Sequence, residues 1–217
     1  ALDIACGTGT LALLLADKGW DVVGIDQSAA MLGLARTKAD ALDAPGTAAF
    51  FQADMRNFAG PQPRAFDLAT CTYDSLNYLL DERDLIACFS CVAAALRPGG
   101  LFVADMNTRH FLEHDWGEVS IAEARGLVEV QRSHFERATD CSTMLLSGFV
   151  GCDEQGYTRF DETHVERAYP PDTVALLLEQ AGLHVEAAYD CFTLLPHYPA
   201  SQRIAWVARK RGFAGAA

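Results

Sequence analysis

The stretch Leu2-Asp3-Ile4-Ala5-Cys6-Gly7-Thr8-Gly9-Thr10 decides the reading of this chain. A short apolar run carrying one acid passes into a turn of small residues. An apolar segment, Leu11 to Lys18, follows, and Gly19 closes it. Strand, glycine turn and helix in that order form the unit that presents backbone N–H groups and a helix N-terminus to a nucleotide-like ligand. Gly7 and Gly9 let the backbone approach a ligand where a Cβ would collide. The first strand begins at residue 1, so the chain is expected to continue upstream of it.

Outward from that unit, strand and helix alternate. Strands are expected at Leu2–Ala5, Asp21–Ile25, Ala48–Gln52, Phe66–Thr70 and Leu101–Ala104. Helices are expected at Leu11–Lys18, at Ala29–Ala41 with Ser28 as N-cap, and at Asp81–Leu96. In the last of these, Leu85, Cys88, Phe89, Val92 and Leu96 share one face. Such repetition builds a parallel sheet with helices on both faces and right-handed crossovers, with ligands at the carboxyl ends of the strands.

The rhythm breaks after Asp105. Leu127–Phe135, Met144–Cys152 and Tyr157–Tyr169 read as three antiparallel strands, the latter two joined by Asp153-Glu154-Gln155-Gly156. A helix started by proline, Pro171 to Ala181, precedes two last strands, His184–Tyr189 and Ile204–Arg209. The expected fold is therefore α/β and Rossmann-like, with a mostly parallel seven-stranded sheet plus a small antiparallel β insertion. Its parts are a core over 1–106, the insertion over 107–169 covering the ligand face, and a return to the core over 170–217.

Composition narrows the function. The chain has 217 residues, 50% of them hydrophobic, and a net charge of −12, which repels a phosphate backbone and argues against a nucleic-acid partner. No apolar run of about 18 residues exists to span a membrane. Seven cysteines, an odd number in apolar contexts, read as reduced thiols of a cytoplasmic protein. Cys88 and Cys91 form the one Cys-x-x-Cys pair, mid-helix and without a second pair, which reads as core packing rather than a zinc site. The six histidines show no metal-ligand spacing either. No metal is expected, and oligomeric state is not legible.

The glycine turn alone is ambiguous. Gly7-Thr8-Gly9-Thr10-Leu11-Ala12 also satisfies the Gly-x-Gly-x-x-Ala dinucleotide fingerprint. Asp3 leans the other way, because a carboxylate inside the first strand needs a cationic or hydrogen-bonding partner. So does Asp26 at the end of the second strand, placed for ribose hydroxyls at roughly 1.5–3 kcal/mol per charge-assisted bond. Gln52-Ala53-Asp54-Met55 ends the third strand with a carboxylate suited to an exocyclic amine and a methionine suited to a flat ring. Leu96-Arg97-Pro98-Gly99-Gly100 makes a sharp helix-to-strand reversal.

Together, in order, these segments resemble the class I S-adenosylmethionine-dependent methyltransferases, closely over residues 1–106 and loosely beyond. The resemblance implies that the Ala5–Gly9 backbone cradles the amino acid end of the cofactor, with Asp3 near its ammonium. It implies Asp26 on the ribose and Asp54 with Met55 on the adenine. Cys6, Gly7, Gln27, Met31, Cys71 and Tyr73 complete the implied cofactor contacts. Ala5 stands where many members carry a glycine.

Methyl transfer from a sulfonium needs mostly positioning, and a base only if the acceptor must lose a proton. Thr72-Tyr73-Asp74-Ser75-Leu76-Asn77-Tyr78 resembles the segment bordering the methyl group, with Tyr73 and Asp74 as catalytic candidates; Asp74 or Ser75 equally suits a helix cap. In the insertion, His164 and Glu166 share one strand face and Arg167 and Tyr169 the other. His164 is the third catalytic candidate. Asn77, Tyr78, Asp105, Asn107, Arg167 and Tyr169 are expected around a small-molecule acceptor, with His197-Tyr198 in a late loop as a further contact. The competing expectations are a cofactor-binding protein of this fold without turnover and a nicotinamide-dependent oxidoreductase.

Overall fold

A computed structural model describes residues 1–59, 66–152 and 156–212. Its main sheet has seven strands: β1 (Leu2–Ile4), β2 (Asp21–Asp26), β3 (Thr47–Gln52), β4 (Phe66–Cys71), β5 (Leu96–Asn107), β10 (Leu183–Asp190) and β11 (Arg203–Lys210). Their order is β10-β11-β5-β4-β1-β2-β3; pairs within β1–β5 are parallel, and β11 runs antiparallel to both neighbours.

Alternation along the strands sends side chains to two cores. One gathers Leu2, Ile4, Ile25, Phe102 and Trp206 with Leu85, Phe89 and Val92 of α3 (Glu82–Ala95) and Val174 and Leu178 of α4 (Pro171–Gln180). The other sets Val22 and Phe50 against Ala12 of α1 (Thr10–Asp17) and Leu32 and Ala35 of α2 (Ala29–Asp40). The expected caps form: Ser28 Oγ accepts from Met31 N at 3.3 Å, and Asp81 Oδ1 accepts from Arg83 N at 2.8 Å. Cys88 is fully buried in the first core, and Cys91 Sγ donates to Arg56 O at 3.5 Å.

The insertion differs from the sequence reading. Its sheet has four strands, not three: β6 (Val119–Ala124), β7 (Leu127–Glu136), β8 (Cys141–Cys152) and β9 (Gly156–Arg167), paired antiparallel in that order. All six residues of β6 are exposed, so no buried face gave it an alternating pattern. The turn residues Asp153–Gln155 lie outside the described residues. Tyr169 has left the strand by two residues and is buried, its hydroxyl donating to Leu79 O. A short π-helical turn, Phe111–Asp115, links β5 to this sheet. β5 is also longer than expected, because Leu96 already pairs with Phe66 while Gly99, at φ +81°, makes the reversal inside it. Among the described residues no helix is long and apolar enough to cross a membrane.

Candidate active site

The site lies at the carboxyl ends of β1 to β5. After β1 the chain turns left-handed three times, at Ala5, Gly7 and Gly9, with φ of +52°, +54° and +77°. Gly9 has two reasons to be glycine, since a Cβ there would stand 2.6 Å from the Phe50 ring. Asp26 fastens the turn. Its Oδ2 accepts from Gly7 N and its Oδ1 from Ser28 N, both at 2.8 Å. Each oxygen keeps a further lone pair for a ligand hydroxyl.

A cavity of about 490 Å³ opens beside this turn. Ala5, Asp26, Gln27, Met31 and Met55 line it, all read from the sequence as cofactor contacts, together with Tyr78 and His164. The arrangement suits a ligand that is apolar and flat between two methionines and carries hydroxyls for Asp26. Other predicted contacts stand back from it. Asp3 is buried and accepts from Thr70 Oγ1 at 2.7 Å, and burial raises its pKa to about 6. Burial likewise pushes the Cys6 thiol up to about 12 and Cys71 well above its ordinary value, so neither is a thiolate. Asp54 is clamped by Arg56, with Oδ2 2.6 Å from Nη2, which holds its carboxyl down to about 2. Arg56 also reaches Asp84 at the start of α3, at 3.0 Å.

Beyond β4 the backbone is left-handed at Tyr73 and Asp74, with φ of +66° and +55°, a conformation non-glycine residues hold only when their surroundings impose it. Asp105 imposes it, accepting from Tyr73 N at 2.9 Å and Asp74 N at 2.8 Å. Arg203 then spans both acids, 3.0 Å from Asp74 Oδ2 and 2.7 Å from Asp105 Oδ1. Asn107 Nδ2 donates to Asp74 at 2.7 Å and to Glu166 at 2.8 Å. Glu166 is buried, and that burial, with Asp74 nearby, raises its pKa to about 7. Asn77 completes the network, donating to Asn107 O and Arg167 O and accepting from Asn107 N. Arg167 donates to Leu80 O at 2.9 Å, and Tyr73 projects outward under the Arg203 guanidinium.

At the cavity wall, Tyr78 Oη lies 3.0 Å from His164 Nδ1, and His164 Nε2 lies 3.0 Å from Glu162 Oε2. An ionised Glu162 accepts only, which puts the imidazole proton on Nε2 and leaves Nδ1 to accept from Tyr78. Sequence reasoning missed Glu162 and Arg203 as site residues and passed over Glu166. The two-residue period through Glu162, His164 and Glu166 was there to find the first; Arg203 carries no local signal, since its partners lie 98 and 129 positions away.

Comparison with known proteins fits this geometry. A family profile described as a methyltransferase domain matches residues 1–100. The chain is 30% identical over 209 residues to the putative methyltransferase YqeM of Bacillus subtilis, covering 96% of this chain and 83% of that one. It superposes with a TM-score of 0.87 on the crystal structure of an S-adenosylmethionine-dependent methyltransferase from Clostridium acetobutylicum, 32% identical, covering 97% of this chain and 83% of that one. It is also 29% identical, over 85% of its length and 70% of the relative's, to a dTDP-3-amino-3,6-dideoxy-alpha-D-glucopyranose N,N-dimethyltransferase of Streptomyces fradiae. The chain belongs to the class I S-adenosylmethionine-dependent methyltransferases. It is a methyltransferase whose cofactor is S-adenosylmethionine, which decides between the two readings of the glycine turn.

Proposed function

We propose that the protein methylates a nitrogen or oxygen of a small molecule, with the cofactor held in the Ala5–Met55 cavity and the acceptor entering under the β insertion. The observation that carries this reading is the Tyr78–His164–Glu162 chain of hydrogen bonds, whose Tyr78 and His164 stand in the wall of that cavity. The net charge of −12 disfavours a nucleic-acid acceptor, and the Streptomyces relative is named for a dTDP-linked amino sugar.

S-adenosylmethionine supplies a sulfonium methyl that is already activated. The chain's own task is to position the acceptor and take its proton. Asp26 and Gly7 fix the cradle, and Asp105 with Arg203 fixes the Tyr73–Asp74 turn that borders it. Tyr78 accepts the acceptor's proton on its phenol oxygen while its own proton passes to His164 Nδ1. The resulting imidazolium is stabilised by Glu162. Asp74 is a positioning group in this scheme, because Arg203 and Asn107 already occupy its Oδ2.

The test is transfer of labelled methyl to a panel of amines, phenols and carboxylates. His164→Ala is expected to lower kcat by about 100-fold or more, the usual worth of a positioned base. An unaltered rate in His164→Ala would remove the relay from the mechanism.

A further inference from the structure

The insertion sheet ends on an open edge. β6 pairs with β7 on one side, all six of its residues are exposed, and no strand among the described residues pairs with its other side. One bond tells which of its backbone groups are free. Glu118 O accepts from Ser133 N at 3.0 Å, and the β6–β7 register sets those two residues directly opposite each other. Opposite residues in an antiparallel pair alternate between bonded and non-bonded. Ser120, Ala122 and Ala124 therefore direct their N–H and C=O groups to β7, and Val119, Ile121 and Glu123 direct theirs outward. The edge also lacks the usual protection, since it holds no lysine, proline or bulge, and Val119 and Ile121 are 63% and 66% exposed.

This edge is complementary to itself. Two copies of β6 laid antiparallel about a two-fold axis at Ile121 bring all three outward-directed residues into bonded pairs. Ile121 meets the second copy's Ile121, and Val119 meets the second copy's Glu123, with the reciprocal pair on the other side of the axis. Moving the axis by one residue either way leaves only two such pairs within β6. Opposite residues share a face, so the central row reads Val130, Ile121, the second copy's Ile121 and the second copy's Val130, an apolar ladder across the junction.

The flanking rows match by charge. Glu123 and Arg132 are both exposed, and neither has an ion pair among the described residues. Asp161, which feels the Arg132 charge, is already bound by Arg159 at 2.7 Å. Within one copy Glu123 stands opposite Val128 and Arg132 opposite Val119, rows about 13 Å apart along the strands. Across the junction Glu123 stands opposite the second copy's Val119, and the second copy's Arg132 is next in that row. Two strand spacings, on the order of 10 Å, separate them, a gap that a glutamate and an arginine side chain together span. The two-fold makes this pair twice. β9, at the far edge, carries the contacts to Tyr78 and Leu80, so the two cores lie at opposite ends of the joined sheet.

We infer that two copies of this chain join through β6 into one continuous eight-stranded antiparallel sheet, four strands from each. The contact is isologous and closes on itself. It does not depend on the function proposed above.

Strand addition alone buries less than the roughly 1,200–2,000 Å² of a standard interface, so the dimer should form over about 5–500 µM in sedimentation equilibrium. Ile121→Lys sets two ammonium groups opposite each other and should weaken association by about tenfold or more. Glu123→Arg should weaken it too, by facing Arg132 with like charge, and Glu123→Arg combined with Arg132→Glu should restore it to within about threefold of wild type. All three positions are exposed, so the variants should melt within about 2 °C of wild type. Amide exchange on the wild-type protein needs no variant. The N–H groups of Val119, Ile121 and Glu123 should exchange more slowly as concentration rises, while those of Ser120 and Ala122 stay protected throughout. A monomer over the whole range, a dimer indifferent to Ile121→Lys, a charge swap that restores nothing, or exchange at the three outward amides that ignores concentration overturns the inference.

Discussion

The proposed cofactor side and the proposed acceptor side of this site are built in different ways. The cradle is local: Ala5, Gly7, Gly9, Asp26 and Ser28 lie within one strand–helix–strand unit, and its bonds run from a carboxylate to backbone N–H groups. The acceptor side is assembled from afar. Asp74 on the turn after β4, Asp105 and Asn107 on β5, Glu166 on β9 and Arg203 on β11 meet through side chains. A site that grips a common cofactor by turn geometry survives changes elsewhere in the chain. One that grips a particular acceptor depends on how distant elements pack.

The sharpest way to break the comparison is Arg203→Leu. Asp74 and Asp105 have side chains only 16% and 13% exposed, and without the guanidinium they are left as unpaired buried carboxylates. Removing one partner of such a pair costs about 3–5 kcal/mol, which for a chain of this size lowers Tm by roughly 10 °C. Thermal melts check this, and a drop of only a degree or two would show that Arg203 is dispensable to the turn. The surviving fold should still respond to S-adenosylhomocysteine, because the cradle does not use Arg203.

Asp26→Ala is the converse. Ligand at about a hundred times its Kd stabilises by roughly 2.7 kcal/mol, or about 5–10 °C in Tm here. The variant should lose most of that shift while keeping the Asp74–Arg203 turn. Unchanged affinity for S-adenosylmethionine would remove Asp26 from the site. Neither NAD nor NADP should shift the wild-type protein.

The same division explains what could be read from the sequence. The Leu2–Thr10 unit, the caps at Ser28 and Asp81 and the parallel half of the sheet are written in turn chemistry and in periods of a few residues. So is the face shared by His164 and Glu166. β6 escaped because it buries no residue, and Tyr169 looked like strand because nothing local marks where β9 ends. Arg203 sits in a strand that reads as ordinary, and its role exists only once β11 is laid against β5 beside the β4 turn. Asp54 was read for its carboxylate; the arginine two residues on, which clamps it, was not weighed.

The smallest effect tests whether the acceptor side carries its own pH dependence. Glu166 ionises near 7 in the folded protein because burial, and then Asp74, oppose its charge, against an ordinary value of 4.5. Between those values the native state holds a proton that the unfolded chain has released, so its contribution to stability falls as pH rises through the window. Glu166→Gln removes the titration while its carbonyl oxygen still accepts from Asn107 Nδ2. The variant's Tm should match wild type near pH 4.5 and exceed it at pH 8 by a few degrees, from on the order of 1–3 kcal/mol. Asp3, raised to about 6 by its own burial, titrates in both proteins and cancels in the difference. Parallel Tm–pH curves for the two proteins would mean that Glu166 is ionised throughout, with Arg203 and Asn107 compensating its charge fully. In that case the acceptor side would be fixed by charge pairing as firmly as the cradle is by its backbone.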